Sequence, residues 1–263
     1  MALSLLLLLA PLASLVAGDC PHLGISAIYS DPATWPHAID WTAEVVLDFP
    51  MLLDVATPRL AGLRIVSGGR LVFSPLAAAT ALTTDFVRIE EGGSLEIGSE
   101  ECPFTGRAEV LLTGKRGAYS SEDGEKYIAV HRGGRLEVHG EQRTAWTRLA
   151  ASLARGREDR EILLQGDVSS WGPGDRLVVA SSHTFQENEE VEVVQCEQHT
   201  CTVSGRLKFN HFGEEDSGVA MQAEVGLLSR NIVIRGEMEA SCYEPNPCDE
   251  FSIDTFGGHI IAR

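Results

Sequence analysis

The segment VRIEEGGSLEI at residues 87–97 is written three times over. It recurs in outline as LRIVSGGRLVF at residues 63–73 and as IAVHRGGRLEV at residues 128–138. In each copy apolar and polar residues alternate on both sides of a glycine pair, a pattern that predicts two short half-buried strands. A glycine pair between them supplies backbone angles that a residue with a Cβ reaches only at a cost. The pairs stand at Gly68-Gly69, Gly92-Gly93 and Gly133-Gly134, spaced by 24 and then 41 residues. A repeat of this length is the signature of a coil that buries its apolar face only against its neighbours. The predicted fold is therefore all-β, a right-handed parallel β-helix (solenoid) with short loops. A sandwich or meander with Gly-Gly hairpins would show the same alternation. The longer spacing means either an inserted loop or a degenerate rung, for which VLLTGKRG at residues 110–117 is the candidate.

The chain has 263 residues, 44% of them hydrophobic, enough for a packed core. A net charge of −17 argues against a nucleic-acid partner, which would need clustered Lys and Arg. Residues 1–18 read as a signal peptide: the run of leucines is too short to span a bilayer, and small residues follow it. With residues 19–34 as an N-terminal segment, the mature chain is then expected to be secreted, with no membrane span.

All six cysteines lie beyond the signal: Cys20, Cys102, Cys196, Cys201, Cys242 and Cys248. An even number in an oxidising compartment favours disulfides, and six allow fifteen pairings. Two local pairs suggest themselves, Cys196–Cys201 and Cys242–Cys248, which leaves Cys20 for Cys102. No Cys-x-x-Cys is present and no His stands at ligand spacing, so no metal site is expected.

Trp35 and Trp41 precede the repeats and are candidates either to cover the first coil or to sit in the core. The Ala-rich residues 75–83 read as a helical turn or a loop. Residues 144–156 place Trp146, Leu149, Ala150 and Leu153 at helical spacing, with Thr144 as a candidate N-cap. Residues 132–160 hold seven arginines against four acids. A solvated face is the plain expectation, and an anion- or glycan-facing stripe built on Arg132, Arg135, Arg143 and Arg148 is the functional one. Trp171-Gly172-Pro173-Gly174-Asp175 reads as a turn. The chain ends in FGGHIIAR, part of another strand unit, whose open rung invites self-association.

The repeat array, together with CPFTG at residues 102–106, AWTRL at 145–149, WGPGDRLVVAS at 171–181, EVGLLSRNI at 224–232 and DTFGGHI at 254–260, closely resembles the G8-domain family of the cell migration-inducing and hyaluronan-binding protein and transmembrane protein 2. The resemblance implies a G8 domain at residues 35–153, leading into a second β-helix region at 154–263 that is incomplete at its C-terminal end. It implies hyaluronan binding or breakdown outside the cell, and an extended strand around Trp146. Larger members carry a globular insert tied to activity between the motifs of Trp146 and Trp171. Here about two dozen residues separate them, so those residues have no counterpart.

No catalytic residue is assigned. Glycoside hydrolysis uses two carboxylates across a cleft, and spacing alone identifies no such pair. Asp175 is expected to serve its turn. The acidic residues 213–218 offer oxygen ligands to calcium but lack the spacing of a known loop, so no cofactor is assigned. His211, Asp254 and His259 would meet if successive coils stack, with His259 otherwise a plain inter-coil hydrogen bonder. The expected function is a secreted module that binds hyaluronan or another matrix partner without catalysis, the alternative being a hyaluronan-depolymerising glycosidase.

Overall fold

The three glycine corners stand in one column in the computed structural model, which describes residues 20–35, 40–114, 122–158, 160–184, 186–238 and 257–263. The Gly68 N–H donates to the Gly92 carbonyl at 3.3 Å, and the Gly92 N–H to the Gly133 carbonyl at 2.9 Å. Each corner is a four-residue turn closed by the N–H of its second glycine, as from Gly93 to the Glu90 carbonyl at 2.9 Å. The two glycines answer different demands. The first of each pair has positive φ, +89° at Gly68, +76° at Gly92 and +81° at Gly133, a region closed to most residues with a Cβ. The second lies against the backbone of the coil before it. A Cβ at Gly69 would collide with the Leu47 carbonyl, and at Gly93 it would lie 2.5 Å from the Ile65 carbonyl oxygen.

Two all-parallel sheets run from these corners. One takes Glu44–Leu47, Gly62–Ile65, Val87–Ile89, Tyr127–Val130 and His259–Ala262 in that order. The other takes Pro50–Leu53, Arg70–Phe73, Ser94–Ile97 and Arg135–Val138. Parallel bridges Ala56↔Ala81 and Leu60↔Thr84 form a further column. Apolar side chains stack in register, Leu47 on Ile65 on Ile89 in the first sheet and Met51 on Leu71 on Leu95 in the second, all buried. Burying one such side chain contributes roughly 1.5–3 kcal/mol.

The long glycine spacing is an inserted loop. Val87–Ile89 pairs directly with Tyr127–Val130, so no rung stands between them in this sheet, and Val110–Leu112 ends a separate strand, Arg107–Leu112. The Ala-rich segment is also not a helical turn: Ala79–Thr84 is a strand that buries every second residue.

At the N-terminal end the Ile28↔Leu52 bridge adds a partial rung. Beside it Tyr29, Trp35, Trp41 and Phe49 pack edge to face or tilted, with centroids 5.4–6.4 Å apart. The Trp35 Nε1–H donates to the Tyr29 carbonyl at 3.1 Å. The Cys20–Cys102 disulfide ties down the segment before this cluster.

The described residues divide into two units. The first comprises the chain up to Phe104 with Leu112–His139 and Gly236–Arg263; the second comprises Thr105–Leu111 and Gly140–Arg235. In the second unit the expectation of further parallel coils gives way to an antiparallel sheet. Its order is Trp146–Arg148, Glu224–Leu227, Arg176–Val179, Glu189–Glu197, Thr200–Val203 and Glu161–Leu163. Glu189–Glu197 and Thr200–Val203 are joined by two residues, and so short a link permits only an antiparallel pair. The Cys196–Cys201 disulfide closes that hairpin, with Gln198 at φ +47° in the turn.

The core of this unit gathers Leu149, Ile162, Val168, Trp171, Leu177 and Val225. The helical reading of residues 144–156 fails: Thr147 and Leu149 are buried and Trp146 is exposed, a period of two that makes Trp146–Arg148 a strand, as the family resemblance implied. Cys242, Cys248 and Asp254 lie outside the described residues. Among the described residues no helix is long and apolar enough to cross a membrane.

Candidate functional site

The four arginines of the expected stripe are divided between the units, Arg132 and Arg135 in the first and Arg143 and Arg148 in the second. Arg132 sits in the turn before Gly133, exposed, and makes no ion pair among the described residues. Arg135 opens the last strand of the second parallel sheet, in a column with Arg70 and Ser94. Its Nε donates to Glu137 Oε1 at 2.7 Å, and His139 Nε2 lies 2.7 Å from the other oxygen. The hydrogen bonds from His139 and Arg135 hold the Glu137 carboxyl below its usual range. Two rungs before Arg135, Arg70 reaches across to Glu96 of the intervening rung at 2.8 Å. A ladder of guanidinium–carboxylate pairs therefore climbs this face, with Arg132 beside it.

Arg143 is a strut. Its guanidinium grips Asp175 and donates to the Ser170 carbonyl at 2.9 Å from Nε. Asp175 also accepts from the Gly172 N–H at 2.7 Å, which closes the turn assigned to it. Arg148 lies 5.9 Å from the Trp146 ring centroid and 3.9 Å from Glu224.

The first unit holds a charged cluster that spacing did not reveal. The buried Asp123 receives His131 Nε2 at 3.2 Å and Arg88 Nη2 at 3.4 Å on one oxygen, and Arg263 Nη1 at 3.2 Å on the other. Arg88 also donates to the Tyr127 hydroxyl at 3.0 Å, and His259 Nε2 lies 3.1 Å from the Asp123 carbonyl oxygen. These contacts fasten His259–Ala262 to Tyr127–Val130, which makes His259 an inter-coil hydrogen bonder. His211 belongs to the second unit and His259 to the first.

In the second unit His211 is fully buried. Its Nδ1 faces the Ala180 carbonyl at 2.9 Å and its Nε2 faces Glu189 Oε1 at 3.0 Å. Both ring nitrogens face oxygens, which ties the ring into the fold. Glu189 further accepts from the backbone N–H groups of Lys208 at 2.6 Å and Phe209 at 2.8 Å. This pair pins the 208–212 loop, which lines a cavity of about 740 Å³ together with Arg155, Ser182 and His183. The acidic residues 214–216 are exposed and pass through a small hairpin, Glu215–Asp216 against Val219–Ala220.

Burial alone would raise the Glu189 carboxyl, but hydrogen bonds from Lys208, His211 and Phe209 outweigh it and hold it below the usual range. Asp175 follows the same logic, with Arg143 and the Gly172 N–H opposing burial. A depressed folded-state pKa contributes stability that is full above the unfolded value, about 4.3 for Glu, and is lost as pH falls through the folded value. The second unit should therefore lose melting temperature below about pH 4.3. Glu189→Gln should lower stability at pH 7 by about 2 kcal/mol and flatten that acid-side fall. A variant that melts with the same pH profile as the native chain would remove Glu189 from this account.

Comparison with known proteins gives this architecture its class. Residues 35–150 match the G8 domain. These residues place a G8 domain in the chain, and cell migration-inducing and hyaluronan-binding proteins are among those similar to it. It is 52% identical over 107 residues to the cell surface hyaluronidase of Danio rerio, covering 39% of this chain and 8% of that protein. It is 46% identical over 119 residues to the cell migration-inducing and hyaluronan-binding protein of Mus musculus, covering 43% and 9%. A Dictyostelium discoideum protein is 31% identical over 230 residues, covering 81% and 21%. The chain thus spans about a fifth or less of the length of these relatives. Among solved structures, a tailspike of Acinetobacter baumannii bacteriophage AP22 covers 66% of this chain and 23% of its own at 15% identity and TM-score 0.28.

Proposed function

We propose that the repeats wind as a right-handed parallel β-helix and that this scaffold, secreted from the cell, binds hyaluronan without cleaving it. The columnar corners and parallel sheets support the winding, and crossovers between parallel strands are right-handed in nearly all proteins. The observation that carries the ligand is the 46% identity, over the G8 part, to a relative named for hyaluronan binding. The exposed Arg132 and the Arg135 ladder are the groups we assign to the polymer's carboxylates. The two disulfides and the lack of a spanning helix among the described residues are consistent with an extracellular setting. The same reading includes self-association through the edge strand His259–Ala262, whose Ile260 is exposed.

The second reading, depolymerisation, is favoured by the name of the Danio rerio relative. One assay separates the two. Labelled high-molecular-mass hyaluronan run through size exclusion with the purified chain should be retained at unchanged length. Shortening of the polymer would establish the second reading, and neither retention nor shortening would dismiss both. The double variant Arg132→Ala, Arg135→Ala should weaken retention about tenfold, in line with two exposed ion contacts.

A further inference from the structure

We propose that the cavity of the second unit is a separate binding site for a small carboxylate-bearing sugar of the uronate type. Its volume of about 740 Å³ lies in the range of small-molecule sites. Its lining residues all lie beyond residue 150, outside the part that matches the G8 domain. Two cations, Arg155 and Lys208, line it exposed, and neither side chain makes an ion pair among the described residues. In a chain of net charge −17, two unpaired cations on one concavity mark a place for an anion, and a guanidinium suits a carboxylate in particular.

The other lining groups suit a sugar. Phe209 and Phe212 offer apolar faces to a pyranose ring, Phe212 with 36% of its surface exposed. Asn210 uses its Oδ1 to accept from the Arg155 N–H at 2.9 Å, which leaves its amide N–H groups to donate to hydroxyls. The Ser182 Oγ accepts from the Phe212 N–H at 2.8 Å and keeps its own hydrogen to donate. The one carboxylate on the lining, Glu187, faces His183 Nδ1 at 3.7 Å. The wall is held before any ligand arrives, because Glu189 anchors residues 208, 209 and 211. Such preorganisation reduces the ordering cost of binding.

The test is titration of the full chain, by calorimetry or NMR, with glucuronate, glucose and inorganic phosphate. Glucuronate should bind in the millimolar range, more tightly than either glucose or phosphate. Arg155→Ala and Lys208→Ala should each weaken it about tenfold, as expected for loss of one charge-assisted contact. Phe212→Ala should weaken glucuronate and leave any phosphate binding unchanged. These side chains are exposed or partly so, and an unchanged melting temperature shows that each variant folds. The proposal falls if glucuronate does not bind, if its affinity is the same in both cation variants, or if phosphate binds as tightly and Phe212→Ala makes no difference. This site and the arginine ladder of the first unit are read independently: loss of polymer retention in the Arg132, Arg135 variant leaves the glucuronate titration unmoved.

Discussion

Gly93→Ala is expected to lower the melting temperature of the first unit by roughly 6–12 °C. The added methyl would lie 2.5 Å from the Ile65 carbonyl oxygen, 2.9 Å from the Ile65 carbonyl carbon and 3.1 Å from the Val66 oxygen. All three are backbone atoms of the preceding coil, so no side chain can rotate away. Relief requires the two coils to part, which breaks the bond from the Ser94 N–H to the Gly69 carbonyl at 3.0 Å. A cost of about 3 kcal/mol, at the upper end of overpacking in a dense core, corresponds to that shift for a domain of this size. Gly172→Ala is the control. Nothing lies within 4 Å of a Cβ there and its φ is not positive, so it should change stability by less than about 0.5 kcal/mol. Equal melting of the two variants would mean that the corner column tolerates a side chain and that coil spacing is not set by the glycines.

Removing the Cys20–Cys102 disulfide by paired serine substitution should cost far more than removing Cys196–Cys201. The first bridge spans 82 residues and the second 5. The chain-entropy relation assigns about 4–5 kcal/mol to the first and about 2 kcal/mol to the second. The long bridge also anchors the chain just before Tyr29, whose N–H donates to the Leu52 carbonyl at 2.8 Å in the partial first rung. Denaturant unfolding of both serine pairs checks the ranking. Equal midpoint shifts would show that folded-state strain or residual unfolded structure, rather than loop length, governs these bridges.

What was legible in the sequence follows from how local each demand is. A Gly-Gly pair carries two local constraints, a positive φ and a missing Cβ, so Gly68-Gly69 and its copies could be read directly. Cys196 and Cys201 could be paired because five residues cannot place them far apart. Strand direction was not legible in the same way. Thr200–Val203 alternates as well in an antiparallel sheet as in a coil, and only the two-residue link at residues 198–199 separates the cases. Neighbours in sequence need not share a role: Arg135 lies on a strand of the parallel sheet, while Arg143, eight residues later and half-buried, grips Asp175. The Asp123 cluster draws Arg88, His131 and Arg263 from three separate stretches, and no spacing rule joins them.

The return of His259–Ala262 to the side of Tyr127–Val130 has a consequence for biosynthesis. The two strands are paired residue for residue, His259 to Tyr127, so the later one leaves the ribosome 132 positions after the earlier. At about 5–20 residues per second, the outer edge of Tyr127–Val130 waits roughly 7–26 s for its neighbour. During that interval a nascent chain displays an unsatisfied row of backbone donors and acceptors, the state most open to capture by a chaperone or by a second nascent copy.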